Sequence, residues 1–553
     1  MAIAVKTTQQ NVFSRFLGAA AKHAQRIAFK ADGGRGQAYT YTEVADLASG
    51  VATGLGGPQF DDQPDIGLLS ENRPEWAIAY LAIIAAGKTV VPIDANLKNN
   101  EIAWIINHAG LRTVIASDKF QDNLSGISSD LQIFSFAPDS ENYWLQLSSD
   151  GDTPPAAQPD TPAVLIYTSG TTGIPKAVEL THRNLTANLD GIRGALVFNQ
   201  DDVFLSVLPL HHTFEATCGF LAPITSGSTI IYARSLKSRD ILDGIALNKV
   251  TVMTGVPLLF EKMYHKLRRG IADAPAHRRA LYRSLWTVAG LGWKLGAEET
   301  GRRLFGSLRE RAGLGTIRMF VSGGAPLPAE ISRFFNYLGF NLMQGYGLTE
   351  CSPVVAVNLP GDIRFGSVGP PLKNLEIKID NPNPAGIGEI LVRGDSTTPG
   401  YRGNKEATEE LYSGDWLCTG DVGTLKDGHL WITGRQKNVI ISAAGKNVYP
   451  EELEERLVTS LYVMEAVVLG RRKEGKQGED VFAVIVPDFD QFKAEFGMLP
   501  EQPDMKKIRE VLGGVIREVN GQVADYKRID AFEVQLEELE KTSTKKVKRF
   551  RYK

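Results

Sequence analysis

Cysteine is scarce in this sequence, and its scarcity excludes several classes of protein. Three cysteines occur in 553 residues, Cys218, Cys351 and Cys418, and no two of them form a Cys-x-x-Cys pair. A disulfide-stabilised scaffold and a cysteine-rich zinc site are therefore excluded, and the composition suits a reducing cytoplasm. We expect the three side chains to fill small apolar spaces in the interior.

The sequence also lacks an excess of charge and a long apolar run. Its 61 Lys and Arg nearly balance 64 Asp and Glu, so no overall field favours nucleic acid as a partner. No segment approaches the ~20 apolar residues of a membrane span. Residues 76–91 contain Gly87 and Lys88 and predict a buried helix followed by a strand. The start, residues 1–6, lacks the apolar region of a signal peptide. We expect a cytoplasmic protein, at most peripheral to the inner face of a membrane.

Length and apolar pattern predict an α/β architecture. A chain of 553 residues is too long for one core and should divide into at least two domains. Up to about residue 434, strand-like runs alternate with helical periodicity, which predicts a large N-terminal body of mixed and parallel sheets covered by helices. Beyond it, a helix beginning at Pro450, two strands and a helix from Met505 predict a small α+β domain.

Residues 167–176, Tyr-Thr-Ser-Gly-Thr-Thr-Gly-Ile-Pro-Lys, have the composition of a phosphate-binding loop. They follow an apolar run at 163–166 that predicts a buried strand. Glycines let the backbone approach a ligand closely, and hydroxyl and N–H groups bind phosphate oxygens. The segment is not the P-loop pattern G-x-x-x-x-G-K-[ST], because Pro175 precedes Lys176. Considered alone, it is also compatible with a flexible polar surface loop.

Six further segments accompany this loop, in order along nearly the whole chain. They are LPLHHTFE at 208–215, SGGAPL at 322–327, QGYGLTE at 344–350, TGD at 419–421, GRQK at 434–437 and KTSTKK at 541–546. Together they resemble the adenylate-forming superfamily of acyl- and aryl-CoA synthetases, adenylation domains and luciferases, and most of all its AMP-dependent long-chain fatty acyl-CoA synthetase branch. The resemblance implies an adenylation body over 1–434, a hinge over 435–437 that pivots at Lys437, and a mobile lid over 438–553 that carries the catalytic lysine.

The resemblance also implies the groups that bind ATP. Glu350 would hold Mg²⁺, since a carboxylate suits this hard cation, and Thr349 would contact phosphate. Asp421 would accept hydrogen bonds from the ribose hydroxyls, and Arg435 would add a charge-assisted contact. The remaining nucleotide contacts would come from Thr168, Ser169, Gly170, Thr171, Thr172, Gly173, Lys176, Gly324, Ala325, Pro326, Gly345, Tyr346 and Gly347.

Two adjacent histidines have two interpretations. The resemblance aligns His212 with the residue that lines the approach of the acyl carboxylate, and it leaves His211 as a neighbour. A metal site of His211, His212 and Glu215 is the less favoured alternative, because there is no second ligand cluster and no helical His-Glu-x-x-His. Phe214 and Glu215 resemble the form found in fatty-acid-activating members.

The last thirteen residues contain seven basic ones, so a frayed cationic tail is the simplest interpretation. The resemblance implies instead that Lys546 ends a K-T-x-x-G-K-like motif and bridges the carboxylate and the α-phosphate in the adenylation transition state. A fixed donor there contributes on the order of 10²–10³ in rate. Lys545 replaces the usual glycine, which leaves open which lysine reaches the site. Gly445 would line the path of the pantetheine arm, where a residue without Cβ lets the arm pass closely.

Residues 262–315 are rich in Lys and Arg interleaved with Leu, Trp and Phe. Solvated faces of two or three packed helices are the simpler interpretation, and a patch for a membrane surface or an acidic partner is the alternative. Relatives that act on long-chain fatty acids tend to carry extra helical sequence here, which favours a lipid substrate.

These features predict activation of a medium- to long-chain fatty acid by ATP and Mg²⁺ to acyl-AMP, with release of pyrophosphate, followed by transfer of the acyl group to CoA. The partners are small molecules, without nucleic acid. An acyl-acyl carrier protein synthetase, an adenylating enzyme for an aryl or amino acid, and a non-catalytic ligand sensor are the alternatives. Chain-length preference, acceptor and oligomeric state cannot be read from the sequence.

Overall fold

The computed structural model describes residues 11–34, 37–151, 154, 156–168, 175–442, 445–472, 478–542 and 546–552. Within these ranges the strands are β1 (Ile27–Ala31), β2 (Tyr39–Thr40), β3 (Asp65–Leu69), β4 (Thr89–Ile93), β5 (Thr113–Ala116), β6 (Gln132–Ser135), β7 (Pro162–Thr168), β8 (Lys176–Thr181), β9 (Val203–Ser206), β10 (Thr229–Tyr232), β11 (Val252–Gly255), β12 (Met319–Ser322), β13 (Leu342–Gly347), β14 (Val354–Val357), β15 (Glu376–Asp380), β16 (Gly388–Arg393), β17 (Gly400–Tyr401), β18 (Tyr412–Ser413), β19 (Trp416–Lys426), β20 (His429–Arg435), β21 (Ile440–Ile441), β22 (Asn447–Val448), β23 (Val463–Arg471), β24 (Asp480–Pro487) and β25 (Ala531–Val534).

The helices of the same ranges are α1 (Val12–His23), α2 (Tyr41–Leu55), α3 (Pro74–Ala85), α4 (Asn99–Ala109), α5 (Gln121–Leu124), α6 (His182–Ala195), α7 (Ala222–Ile224), α8 (Ser238–Asn248), α9 (Pro257–Ala272), α10 (Ala276–Lys294), α11 (Glu299–Leu304), α12 (Gly306–Arg311), α13 (Ala329–Tyr337), α14 (Lys405–Leu411), α15 (Pro450–Val458), α16 (Phe489–Phe496) and α17 (Met505–Gly521). A π-helix, Glu215–Leu221, precedes α7. None of the described helices combines the length and apolar character that a bilayer crossing requires.

Two largely parallel sheets and one antiparallel sheet build the N-terminal body. The eight-stranded sheet has the order β14-β13-β12-β11-β9-β10-β1-β2, and its pairs are parallel except at the two edges. The seven-stranded sheet has the order β17-β8-β7-β4-β3-β5-β6, in which β8 pairs antiparallel with both neighbours. A third sheet, β15-β16-β19-β18 with β20 beside β19, is antiparallel. This arrangement confirms the predicted α/β class.

Apolar patterning explains the central elements. Helix α3 begins with Pro74 in its first turn and is apolar on every side, and eleven of its twelve residues are buried. Strand β4 follows it, so the helix and strand predicted for residues 76–91 are confirmed. Cys218 and Cys351 are buried as predicted, whereas Cys418 is partly exposed.

The C-terminal part has its own hydrophobic core. Strands β23, β24 and β25 form a sheet, and α17 presents Ile508, Leu512 and Val519 to the core at helical spacing. Asp504 caps α17 by accepting hydrogen bonds from the amides of its first turn. The buried clusters of this part draw on residues from 440 onward, whereas those of the body end at residue 430.

Candidate active site

The hairpin of β7 and β8 carries the predicted phosphate loop. Thr168 and Lys176 are its last paired residues, and the Thr168 hydroxyl donates to the Lys176 carbonyl at 3.4 Å. The loop residues predicted to bind phosphate, Ser169, Gly170, Thr171, Thr172 and Gly173, lie outside the described residues. The Lys176 ammonium lies 4.5 Å from the centre of the Tyr401 ring, a cation–π distance.

Tyr401 connects this hairpin to the predicted metal ligand. Its hydroxyl donates to Glu350 Oε1 at 2.8 Å, and burial together with the charge of Glu350 raises the pKa of Tyr401, so the phenol stays protonated and donates. Thr349 accepts a hydrogen bond from the Thr213 hydroxyl at 3.3 Å. The two residues predicted to contact metal and phosphate are therefore held by side chains from distant segments. No local sequence signal marks Tyr401.

Tyr346, Asp421 and Arg435 form a second connected group. Asp421 lies inside β19 opposite Arg435 of β20, and Arg435 Nε donates to Asp421 Oδ1 at 2.8 Å. The Tyr346 hydroxyl donates to Oδ2, also at 2.8 Å. The charge of Asp421 is the largest cause of the raised pKa of Arg435. Gly345 and Gly347 flank Tyr346 in β13, and a Cβ on Gly347 would lie 2.0 Å from the carbonyl oxygen of Pro353.

The turn after β12 contains three of the residues predicted to contact the nucleotide. Gly324 has φ +84°, a conformation that favours glycine, and Gly324, Ala325 and Pro326 are exposed. A Cβ on Gly323 would lie 2.9 Å from the ring of Phe214. The absence of a side chain there lets Phe214 pack directly against the turn.

The histidine pair has a partner that was not among the predicted site residues. His211 is buried with Nε2 3.3 Å from Asp94 Oδ2, and its ring centre lies 4.1 Å from that of His212. Desolvation is the main cause that lowers the pKa of His212 well below its usual value. The charges of His211 and Lys546 add to it, and Asp94 opposes it. His212 is therefore a neutral imidazole at pH 7.

The structure does not assemble the alternative metal site of His211, His212 and Glu215. Among the described residues, the side chains close enough to share an ion with these histidines include Asp94 but not Glu215. Glu215 is fully buried and accepts a hydrogen bond from the Thr254 hydroxyl at 2.7 Å. Burial raises its pKa to about 7.

The C-terminal segment is anchored, so the frayed-tail interpretation does not hold for its described residues. Lys541 forms an ion pair with Glu465 and pairs with Val547 in a β-bridge. Between them the Thr542 amide donates to the Lys546 carbonyl at 2.8 Å. Lys545 lies outside the described residues, so the choice between the two lysines stays a prediction.

These contacts bring Lys546 to the groups described above. Lys546 retains solvent contact. Desolvation by the surrounding protein is nevertheless the main cause that lowers the pKa of Lys546, and the charge of Arg435 lowers it further. The charges of Asp421 and Glu350 act in the opposite direction. Its influence on the pKa of His212 places it near the histidine pair as well. The metal, ribose, acyl and lysine candidates therefore share one cleft between the body and the C-terminal part.

Comparison with known proteins identifies the architecture. Residues 16–402 match the model of a family described as AMP-binding enzyme. The chain belongs to the AMP-binding enzyme family. This confirms the predicted superfamily and the prediction that the chain is an enzyme.

Named relatives and solved structures of this AMP-binding enzyme extend over most of its length. Long-chain-fatty-acid–CoA ligase FadD15 of Mycobacterium bovis is 32% identical over 463 residues, 78% of this chain and 75% of that protein. Long-chain-fatty-acid–CoA ligase 1 of Cavia porcellus is 28% identical over 525 residues, 85% and 73% of the two chains. The anthranilate CoA ligase AuaEII in complex with anthranoyl-AMP is 23% identical and superposes with a TM-score of 0.78, covering 98% of this chain and 96% of that chain. ATP-bound MatB from Rhodopseudomonas palustris is 24% identical, with a TM-score of 0.77 and 98% coverage of both chains. These structures show that the fold of the AMP-binding enzyme is the predicted one.

The predicted hinge and thiol-path residues of this AMP-binding enzyme lie at the start of the C-terminal part. Lys437 is exposed in a single helical turn, Gln436–Asn438, between β20 and β21. Gly445 is exposed with φ +68°, and its amide donates to the Ser442 carbonyl at 2.8 Å. A Cβ at Gly445 would meet no atom within 4 Å, so only the positive φ disfavours another residue there.

Proposed function

We propose that this enzyme activates a medium- to long-chain fatty acid with ATP and then transfers the acyl group to CoA. The relatives from Mycobacterium bovis and Cavia porcellus are both named long-chain-fatty-acid–CoA ligases, which supports the acid and the acceptor. The observation that carries the proposal is the position of Lys546. It lies near Arg435, Asp421 and Glu350, whose charges act on it, and a carboxylate and a triphosphate would meet beside these groups.

The nucleotide would lie along the group of Tyr346, Asp421 and Arg435. A carboxylate can accept about four hydrogen bonds, so Asp421 keeps capacity for ribose hydroxyls while it binds Tyr346 and Arg435. The two donors fix the orientation of its carboxylate before any ligand enters. Gly324, Ala325 and Pro326 leave space for adenine beside the turn.

Glu350 would hold the Mg²⁺ that the family implies. Within the part of the chain that the structure describes, the Tyr401 hydroxyl donates to one of its two oxygens, and the carboxylate retains the capacity that a hard cation needs. Bound Mg²⁺ would neutralise phosphate charge. Tyr401 holds the carboxylate in position, and Thr349 presents its hydroxyl on the same segment.

In the first step, a carboxylate oxygen of the acid forms a bond to the α-phosphorus, and the bond to the bridging oxygen breaks so that pyrophosphate leaves. Lys546 would neutralise the charge that gathers between carboxylate and α-phosphate. A neutral His212 lines the approach without adding a competing charge. In the second step, the sulfur of CoA forms a bond to the acyl carbon and AMP leaves.

The division into a body over 1–434, a hinge over 435–437 and a lid over 438–553 is part of this proposal. Separate hydrophobic cores on the two sides of residues 431–439 support it. In this structure the lid is held on the body by Arg269, which pairs with the buried Asp488 at 2.6 Å, and by His265, whose Nε2 lies 3.1 Å from the Val458 carbonyl oxygen. These contacts belong to the arrangement that places Lys546 in the cleft. The second step would follow rotation about Lys437, which brings Gly445 to the thiol path.

Pyrophosphate release across saturated acids of graded length, with CoA or acyl carrier protein as acceptor, tests the proposal. We expect kcat/KM with CoA to rise with chain length, since each buried CH₂ contributes up to ~0.8 kcal/mol. A flat profile, or a preference for an aryl acid, would refute the fatty-acid substrate. Turnover with carrier protein but not with CoA would instead support the acyl-acyl carrier protein synthetase. Cytoplasmic location stays a prediction.

A further inference from the structure

One face of α10 carries large apolar side chains that are exposed to solvent. Leu281, Val288, Leu291 and Leu295 are 58%, 50%, 57% and 75% exposed. Their separations of seven, three and four residues place them on one side of the helix. A single exposed leucine is ordinary, but three apolar side chains along this helix and a fourth at its C-cap, Leu295, form an apolar stripe, and such patches mark contact surfaces.

This stripe is not needed to attach α10 to the body. The opposite side of the helix carries Trp286 and Trp293, whose ring centres lie 5.0 Å and 6.0 Å from that of Tyr337 on α13. Ala289 is buried on the same side. Helix α10 is therefore apolar on two opposite faces, although a helix fixed by one face ordinarily presents polar residues to solvent on the other.

The charge around the stripe selects the kind of partner. Residues 262–315 contain twelve Lys and Arg against four Asp and Glu, a net charge of +8 on a chain whose overall charge is −3. Helix α10 itself has no acidic residue, and its exposed basic residues are Arg278, Arg279, Arg283 and Lys294. Like charge disfavours pairing of this face with the same face of a second copy. The exposed stripe is aliphatic, because the aromatic residues of α10 face inward, so it offers no stacking surface for nucleic acid bases.

We propose that α10 is a membrane-contact helix that lies on the surface of an anionic bilayer. The four aliphatic side chains would enter the boundary between headgroups and acyl chains, about 5–10 Å deep, and the basic residues would contact lipid phosphates. The helix is interfacial, because no described helix has the character of a membrane span. The residues of this contact surface are not among the candidate active-site residues, and the proposal does not depend on the proposed reaction.

Cosedimentation of the purified full-length protein with vesicles tests this contact. Vesicles of phosphatidylcholine alone are compared with vesicles that also contain phosphatidylglycerol, at low and high salt and without ATP or CoA. We expect binding to the anionic vesicles, weaker at high salt because exposed charges are screened. The triple variant Leu281→Ser, Val288→Ser, Leu291→Ser should lose about tenfold or more in vesicle partition, because binding scales with buried apolar area.

A matched control removes equally exposed side chains elsewhere. Val197→Ser, Leu236→Ser and Leu247→Ser change residues that are 73%, 54% and 71% exposed, and this triple variant should bind vesicles as the wild type does. A charge variant, Arg278→Gln, Arg283→Gln, Lys294→Gln, should lose the preference for phosphatidylglycerol while it keeps all apolar side chains. It provides an independent test if the serine variant misfolds.

Three results would overturn the proposal. The first is that wild type fails to bind anionic vesicles. The second is that the stripe variant and the charge variant both bind as the wild type does. The third is a concentration-dependent dimer in sedimentation that the stripe variant loses, which would assign this face to a second copy. Since no substrate is present in the assay, each result is distinguishable from a failure of the ligase proposal.

Discussion

Replacement of Lys546 by alanine should separate the two half-reactions. The lysine lies near Arg435, Asp421, Glu350 and His212 because the lid is docked on the body. Its charge is needed while the carboxylate attacks the α-phosphate, whereas the proposed second step takes place at the acyl carbon after the lid has rotated about Lys437. We therefore expect Lys546→Ala to fail in acyl-adenylate formation but to convert supplied acyl-adenylate and CoA to the thioester.

The expected size of the effect follows from the neighbours of Lys546. Loss of one preorganised donor costs about 10²–10³ in rate, or roughly 2.7–4 kcal/mol. Arg435 remains as a cation in the same cleft, but its Nε is committed to Asp421 at 2.8 Å. We therefore expect the loss to approach the upper end of this range.

Single-turnover measurements of each half-reaction provide the assay. Lys548→Ala is the matched control, because Lys548 belongs to the same segment and pairs with Glu540 at 3.0 Å. It should leave both steps within about twofold, as expected for an exposed ion pair. Gly445→Leu should show the reverse of Lys546→Ala and stall with bound adenylate. Equal damage to both steps by Lys546→Ala and Gly445→Leu would refute the assignment of the two residues to different half-reactions.

Three further predictions concern the metal, the docked lid and a buried carboxyl group. Glu350→Gln should lose pyrophosphate release most severely at limiting Mg²⁺, and normal turnover there would remove Glu350 from the metal site. Arg269→Ala leaves Asp488 buried without this partner and should weaken the docking of the lid on the body. Acyl-adenylate formation should therefore slow, while thioester formation from supplied adenylate persists. An equal effect on both steps would contradict a role of Arg269 in lid docking. Burial raises the pKa of Glu215 to about 7, so the folded protein binds the carboxyl proton more tightly than the unfolded chain does. Protonation of Glu215 therefore adds to the free energy of unfolding. This contribution is fully present below about pH 4.5 and is lost as the pH rises through about 7. Glu215→Gln should remove this pH dependence. The Tm of the variant minus the Tm of the wild type should therefore increase from pH 5 to pH 8, and a constant difference would contradict the raised pKa of Glu215.

The sequence predicted those parts of the fold that local apolar patterns determine. The run at 163–166 lies within β7, and Pro450 and Met505 begin α15 and α17 as expected. Segment 262–315 was predicted as two or three helices, whereas the structure has α9, α10, α11 and α12 there. Short helices of six residues such as α11 and α12 give too few turns for their periodicity to be separated from that of their neighbours.

The side-chain partners within the site could not be predicted in the same way. Tyr401 reaches Glu350 because β17 pairs with β8, a contact between residues more than 200 positions apart. Such a pairing depends on the topology of the whole sheet, and the local sequence of neither strand predicts it. Asp94 left a weaker signal: it directly follows β4, and β4 pairs with β7, whose end carries Thr168. An acid at the carboxyl end of a parallel strand beside a phosphate loop is a site candidate on topology alone.

In the basic C-terminal segment, ion pairs distinguish the side chains that stabilise the structure from the lysine predicted to be catalytic. The sequence alone does not distinguish among its lysines and arginines. In the structure, four of the described ones pair with acidic residues of the lid: Lys541 with Glu465, Lys548 and Arg551 with Glu540, and Arg549 with Glu454. These pairs, together with the bridge between Lys541 and Val547, anchor the described residues of the segment on the lid. Lys546 directly precedes Val547, and the charges that act on it are those of Arg435, Asp421 and Glu350 in the cleft. The ion pairs on both sides of Lys546 thus order its backbone before any substrate binds. Stabilisation of charge in a transition state requires this preorganisation.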